Sequence, residues 1–351
     1  MESNRKRRGD GRISVGVVGT GGMGGMHATC LHRKVAGARV AAVSDVDAPR
    51  AEKVAGECGG AAVFGDAAEM IRSDEVEAVV VASPDPTHAE LVLECLRLGK
   101  PVLCEKPLAM SPEEASGIVE AEVERGEKLV QVGFMRRYDP QHTDVKNVVA
   151  SGAIGDPVLF KGWHRNAEMP PGADSEWVVL SAAIHDLDSA RWMLGGEVEE
   201  VFVRGASTAG SPDVFDLQLL QLSFDNGRLA TIEVNVEAGF GYEVGVEVVG
   251  VNGTAYAAPP SAATVRLDRA FAQKVDGDWL DRFEPAYTIE LQEWTEALGK
   301  GLTASPDAWD GYASLVVAEA CIASIRSGKP EAVSVPEKPA LYAGEATGVA
   351  G

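Results

Sequence analysis

A glycine-rich stretch near the start of the chain restricts its fold more than any other. Residues 13–18 (ISVGVV) form a short apolar strand. Gly19-Thr20-Gly21-Gly22-Met23-Gly24 follows and opens a helix through Gly25, Met26 and His27. This is G-x-G-x-x-G in the context that gives it meaning, after a strand and before a helix. The first glycine makes the tight turn, the second lets the backbone approach a pyrophosphate, and the third lets helix and strand pack closely. The helix N-terminus favours the phosphate charge. A second strand, 39–44, ends at Asp45, about twenty residues past the last glycine, where a carboxylate accepts hydrogen bonds from the adenosine ribose hydroxyls. Gly19, Thr20, Gly21, Gly22, Met23, Gly24 and Asp45 are therefore expected to bind a nicotinamide dinucleotide. Asp45 favours NAD over NADP because it repels a 2′-phosphate, a preference moderated by Arg50 nearby.

Strand and helix go on alternating. Helix 48–58, a short strand near 62–64 and the largely apolar strand 76–83 lead to Ser83-Pro84-Asp85-Pro86. Helix 87–98, strand 101–104, helix 112–126 and strand 128–133 follow. This predicts an α/β Rossmann domain with a doubly wound parallel sheet over 13–134. After Gly133 the pattern changes to period two, as in 214–224 and 228–237, joined by the turn Asp225-Asn226-Gly227. Strand 243–251 meets a second turn at Asn252-Gly253. The reading is a C-terminal α+β domain, 135–334, with a large, mostly antiparallel open sheet of five or six strands covered on one face by helices such as 183–194. Helices 287–298 and 306–326 close it. Residues 1–12 read as a disordered leader and 335–351 as an extended tail.

Charge and composition exclude several functions. The 351 residues carry a net charge of -21, which opposes binding to nucleic acid or anionic membranes. There is no run of 18 apolar residues and no signal-peptide core, so nothing is expected to span a membrane. Five scattered cysteines without a CxxC pair suit a reducing cytoplasm. Six histidines show no HExxH or paired spacing, so no catalytic metal is expected.

The residues that could do chemistry lie in two places. Read as one helix, Ser181, His185 and Asp188 share a face, a stripe in which an imidazole is flanked by a hydroxyl and a carboxylate. A buried, satisfied core histidine is the plainer reading of that stripe alone. Lys106 stands at the carboxyl end of a strand, where ligands sit in open α/β sheets, although most lysines are simply solvated. Ser83 and Pro84 hold the equivalent position on the neighbouring strand.

The glycine loop, the SPDPTH stretch (83–88) and Glu105-Lys106-Pro107 together resemble the Gfo/Idh/MocA oxidoreductases. Residues 130–139 (VQVGFMRRYD), His164-Arg165-Asn166, 185–188, 279–287 (WLDRFEPAY) and 309–312 (WDGY) resemble the inositol 2-dehydrogenases within that family. The resemblance implies hydride transfer between a ring secondary alcohol of an inositol or inositol-derived cyclitol, an aminocyclitol included, and NAD. It makes His185 the acid/base and Lys106 the group that stabilises the reacting oxygen. Ser83, Pro84, His88 and Glu105 join Lys106 as expected cofactor contacts. Asp188, His164, Asn166, Arg136, Tyr287 and Ser181 are the expected substrate contacts; an internal salt bridge is the competing role for the arginines. It also implies a homo-oligomer, tetramer or dimer, formed through the open sheet face. One departure stands out. The family usually has Asp four residues before the histidine, where this chain has Ser181, so the imidazole loses a charge; Asp174, Glu176 or Asp186 are candidates to replace it. Phe240 also stands where the inositol enzymes tend to show tyrosine. Two other readings stay open: a sugar or sugar-phosphate dehydrogenase or ketoreductase, and a cofactor-binding regulator without turnover.

Overall fold

The computed structural model describes residues 11–208, 212–257, 265–267 and 270–343. Nearly all of the expected leader and the end of the expected tail lie outside them. The chain forms two compact units.

The first unit holds residues 1–134, 287–312 and 338–351. Its strands are β1 (Ile13–Val18), β2 (Ala38–Ser44), β3 (Ala62–Phe64), β4 (Ala78–Val81), β5 (Val102–Cys104) and β6 (Val130–Val132). They pair in parallel in the order β3-β2-β1-β4-β5-β6, the doubly wound arrangement that places ligands at the strands' carboxyl ends. β1, β4, β5 and β6 are buried at every position, as strands with helices on both faces must be. The helices begin and end by local chemistry. Ser111 caps Pro112–Arg125 by accepting from the Glu114 N–H, and Gly126, at φ 71°, closes it in the left-handed conformation that glycine tolerates.

The domain boundaries differ from the expected ones. The helix Trp279–Gly299 starts earlier than the expected 287, and its second half belongs to the first unit. Leu291 and Trp294 are fully buried there, in one core with Val15, Leu31, Val43 and Val80. The tail is also not wholly extended. Ala340–Ala343 is helical, and the buried Tyr342 gives its hydroxyl hydrogen to Glu122 at 2.6 Å. Both departures come from apolar side chains that complete a core distant in sequence, which local periodicity does not register.

The second unit, 135–286 and 313–337, is built on β7 (Pro157–Arg165), β8 (Val198–Ala206), β9 (Leu217–Phe224), β10 (Leu229–Asn235), β11 (Glu243–Gly250) and β12 (Thr254–Ala257). A hairpin of β13 (Val265–Leu267) and β14 (Ala270–Ala272) and the short β15 (Glu331–Ala332) follow. Seven strands form one sheet in the order β12-β11-β7-β10-β9-β8-β15, antiparallel except where β10 runs parallel to β7. The expected turn at 225–227 joins β9 to β10, and Asn252-Gly253 joins β11 to β12. Period-two burial puts Leu220, Leu222, Ile232 and Val234 inward, against Leu187, Ala190, Val317 and Cys321. The opposite face carries Leu219 and Leu229, each at least 50% exposed.

Replacing Trp294 by Ala should cost about 3–5 kcal/mol, the usual penalty for emptying a large aromatic site. Urea unfolding followed by circular dichroism measures it. A cost near zero would remove the 287–312 segment from the first unit's core.

Candidate active site

The candidate cofactor site lies in the first unit and grows from the glycine loop. Gly19 has φ 83°, and a Cβ there would come within 2.4 Å of the Ala82 carbonyl oxygen. A Cβ on Gly24 would lie 1.9 Å from the Gly19 oxygen, so no larger residue fits either position. At Gly21 and Gly22 a Cβ would meet nothing within 4 Å, and no side chain caps the helix Gly22–Arg33. The loop thus offers uncapped backbone N–H groups on an open side, which suits a pyrophosphate. Asp45 is fixed behind it. One carboxylate oxygen accepts from the Thr20 N–H at 2.6 Å and the Thr20 hydroxyl at 2.8 Å; the other accepts from the Asp47 N–H at 2.9 Å and from Arg50 at 2.7 Å. Burial pushes this carboxyl up, but Arg50 and the three other donors outweigh it and hold the group well below the usual carboxylate range. The residues present therefore fit a nicotinamide dinucleotide.

Ser83 and Pro84 follow β4 and remain partly open, with the Ser83 hydroxyl 2.6 Å from that of Thr87. Lys106 follows β5, half-buried and joined to Pro107 by a cis peptide bond. Two of the expected cofactor contacts turn inward instead. His88 is fully buried, with Nδ1 at 2.7 Å from the Pro107 carbonyl oxygen and Nε2 at 2.9 Å from that of Ser83. It ties the two strand-end loops to each other. Glu105 is also buried and lies 2.7 Å from His27 Nε2. Tyr287, expected at the substrate, is buried in the first unit with its ring edge-on to His27 at 5.7 Å.

The second unit carries its own group of candidate polar side chains. The stretch read as one helix is two: a π-helical segment Val178–Ala183 that runs straight into the α-helix Ile184–Leu194. The widened turn ends two residues before His185, in the kind of place where π-bulges gather at functional sites. His185 and Asp188 are buried at the start of the α-helix, and Ser181 is half-buried. Asp188 takes a two-point pair from Arg137, at 2.9 and 2.6 Å. Carboxylate oxygens keep further lone pairs for a substrate hydroxyl.

Arg136 has the structural role that competed with substrate contact. It is 1% exposed and pairs with Asp186 at 2.6 Å. A guanidinium only donates, so its 2.9 Å contact with His164 Nδ1 makes that nitrogen the acceptor. The ring hydrogen then sits on Nε2, facing the Tyr242 hydroxyl at 3.2 Å. Burial lowers the affinity of His164 for a second proton. Both of its ring nitrogens are engaged within this unit, so it fixes Arg136 and Tyr242 where a direct grip on substrate was expected. Asn166 is half-buried, and its side-chain oxygen has no hydrogen-bond partner among the described residues.

None of the three candidate substitutes for the missing carboxylate at 181 is idle. Asp174 caps the helical turn Ser175–Trp177, Glu176 pairs with Arg326, and Asp186 pairs with Arg136. A further buried trio escaped the sequence reading. Asp139 holds His142 at 2.6 Å and Arg282 at 2.8 and 2.9 Å. Its one sequence signal is Asp before Pro140, an N-cap pattern. Among the described residues no group of three or more His, Cys, Asp or Glu side chains could hold a metal ion, and no helix is long and apolar enough to cross a membrane.

Comparison with known proteins agrees with this geometry. Residues 13–134 match the model described as oxidoreductase family, NAD-binding Rossmann fold, and 142–256 match the GFO/IDH/MocA C-terminal domain. The chain belongs to the GFO/IDH/MocA oxidoreductase family and is a dehydrogenase acting on CH–OH groups. Its relatives in that family include an inositol 2-dehydrogenase from Rubrobacter xylanophilus, 62% identical over 95% of this chain and 97% of that one. Inositol 2-dehydrogenase 2 from Saccharopolyspora erythraea is 44% identical over 94% and 98%. The crystal structure of myo-inositol dehydrogenase from Lactobacillus casei in complex with NAD(H) and myo-inositol is similar at a TM-score of 0.90 and 31% identity, covering 94% of this chain and 99% of that one.

Asp139 and His142 supply a pH test. Burial raises the Asp139 carboxyl, but His142 and Arg282 outweigh it and hold it low; burial lowers His142. Each binds protons more weakly folded than unfolded, so stability rises with pH through both ranges. Replacing Asp139 by Asn should cost about 3–5 kcal/mol at pH 7, as breaking a buried pair does. The gap to the parent should narrow below about pH 4, where the unfolded carboxyl is protonated. Urea midpoints of both proteins across pH 3–8 check it; a gap independent of pH would contradict the charge pairing.

Proposed function

We propose that the chain is an inositol 2-dehydrogenase that uses NAD. The observation that carries this is the pairing of a complete dinucleotide half, glycine loop through Lys106, with a helix bearing His185 and Asp188. That pairing occurs in a chain 62% identical, nearly end to end, to a protein of that name. When bound, NAD accepts the hydride. The residues of the chain do the rest. Asp188 and Asn166 hold ring hydroxyls, and a polyol site built this way rejects the wrong isomer by leaving its own polar groups unpaired. Lys106 Nζ donates a hydrogen bond to the reacting oxygen and stabilises the alkoxide charge as it develops. His185 takes the hydroxyl proton on its imidazole.

The cofactor preference is for NAD, with Arg50 held away from a 2′-phosphate by its pair with Asp45. The five cysteines are buried and form no disulfide, which supports a reducing, cytoplasmic setting. A second copy covers the outer sheet face around Leu219 and Leu229; light scattering that found only monomer would remove this part.

The direct test is a panel of inositols, aminocyclitols and free and phosphorylated sugars, with NAD and NADP, read by reduced-nicotinamide absorbance. Turnover of sugar phosphates alone would overturn the reading. Lys106→Met should abolish turnover while cofactor still binds, measured by calorimetry. Asp45→Ala should raise the NADP-to-NAD ratio of kcat/KM about ten- to hundredfold, the worth of one charged hydrogen bond set free at Arg50. Ser181→Asp should move the acid limb of the kcat/KM profile up by about one pH unit, because a carboxylate stabilises the imidazolium by about 1.4 kcal/mol per unit. An unmoved limb would separate residue 181 from the base.

A further inference from the structure

The helix Trp279–Gly299 brings into the first unit an acid that the proposed chemistry does not use. Glu290 is fully buried. It follows Tyr287 by three residues, so the two share a helix face, and the Tyr287 ring packs on His27. Neither carboxyl oxygen of Glu290 has a hydrogen-bond partner among the described residues. The same holds for Nδ1 of His27 and for the indole nitrogen of Trp294, one turn beyond Glu290. Burial pushes the Glu290 carboxyl far above its ordinary value, and the charge on Glu105 pushes it further. Glu105 goes the other way: burial raises it, but His27 and the charges of Lys106 and His88 outweigh burial and hold it low. Two neighbouring carboxyl groups are thus held in opposite states, Glu105 charged and Glu290 neutral with a hydrogen to give. For stability alone a leucine would serve better, since it carries no desolvation cost.

We propose that Glu290 is a positioning residue for Lys106, acting through His27 and Glu105. The carboxylic O–H of Glu290 supplies the hydrogen bond for His27 Nδ1 across one buried water. That fixes the imidazole hydrogen on Nε2, aimed at Glu105 Oε1 2.7 Å away. The other Glu105 oxygen accepts from the Lys106 backbone N–H at 3.3 Å. A carboxylate clamped at both oxygens keeps one orientation, and its charge attracts the ammonium of Lys106. Gly133 lets this happen, because a Cβ there would lie 3.0 Å from the Glu105 carboxyl. The inference rests on the role given to Lys106 above.

The experiment compares the full chain with its Glu290→Leu and Glu290→Gln variants, using NAD and myo-inositol, with steady-state kinetics and thermal melting. Glu290→Leu should melt at or above the parent temperature. Its kcat should nevertheless fall about tenfold, with both KM values within about twofold, the pattern of a reacting group misplaced after binding. Glu290→Gln keeps a donor in the same shape and should return kcat to within about threefold of the parent. Parent-like kcat in Glu290→Leu overturns the proposal. Equal losses in both variants, tracking a lower melting temperature, overturn it in favour of packing. Lys106→Met, measured beside them, separates the two readings. If it is fully active, the role of Lys106 fails and the proposal with it. If it is inactive while Glu290→Leu is fully active, only the role of Glu290 fails.

Discussion

Two adjacent arginines hold the polar half of the second unit in place. Arg136 and Arg137 pair with Asp186 and Asp188, which flank Leu187 on the helix that carries His185. Burial alone would raise the Asp186 carboxyl, and the Arg136 guanidinium reverses that. Removing either arginine would leave a buried charge uncompensated, which is far more costly than never having built the pair. The same guanidinium sets the His164 tautomer and, through it, the Tyr242 hydroxyl. One ion pair thereby fixes the helix, the strand β7 that carries His164, and the loop before β11 that carries Tyr242.

The fold was legible where local pattern and tertiary role coincide. The glycine loop, Asp45, the wholly apolar β4 and the turns at 225–227 and 252–253 each follow from a short-range rule, and each is found in place. Reading failed where a residue's task depends on a distant partner. Trp294 looks like any apolar helix position until the strands it covers are known. His88, His164 and Arg136 have the polarity of ligand contacts, but each spends that polarity inside its own unit. The arginine–aspartate pairs span about fifty residues of sequence, beyond any periodicity. The π-helical turn before His185 was invisible for a different reason: Val178–Ala183 has ordinary helical composition, and the extra residue in the turn leaves no mark on it.

Ser181 remains the departure from the family pattern on the stretch that leads to His185. Each of the three acids considered as a stand-in for the missing carboxylate is engaged with another group. A base without that carboxylate relies more on the alkoxide being stabilised elsewhere. In the proposed mechanism this raises the demand on Lys106 and on whatever orients it.

The first unit is assembled from three separate stretches of chain, and this bears on how the protein is made. Leu291 and Trp294 belong to the core that the first strands begin, and Tyr342 closes onto Glu122 from close to the other end. A ribosome delivers residues from the N-terminus at about 5–20 per second. The dinucleotide-binding sheet therefore waits, with part of its core uncovered, until residues 135–286 of the second unit have been synthesised. Nascent chains of this enzyme should depend on chaperones for longer than a Rossmann domain encoded in one continuous segment.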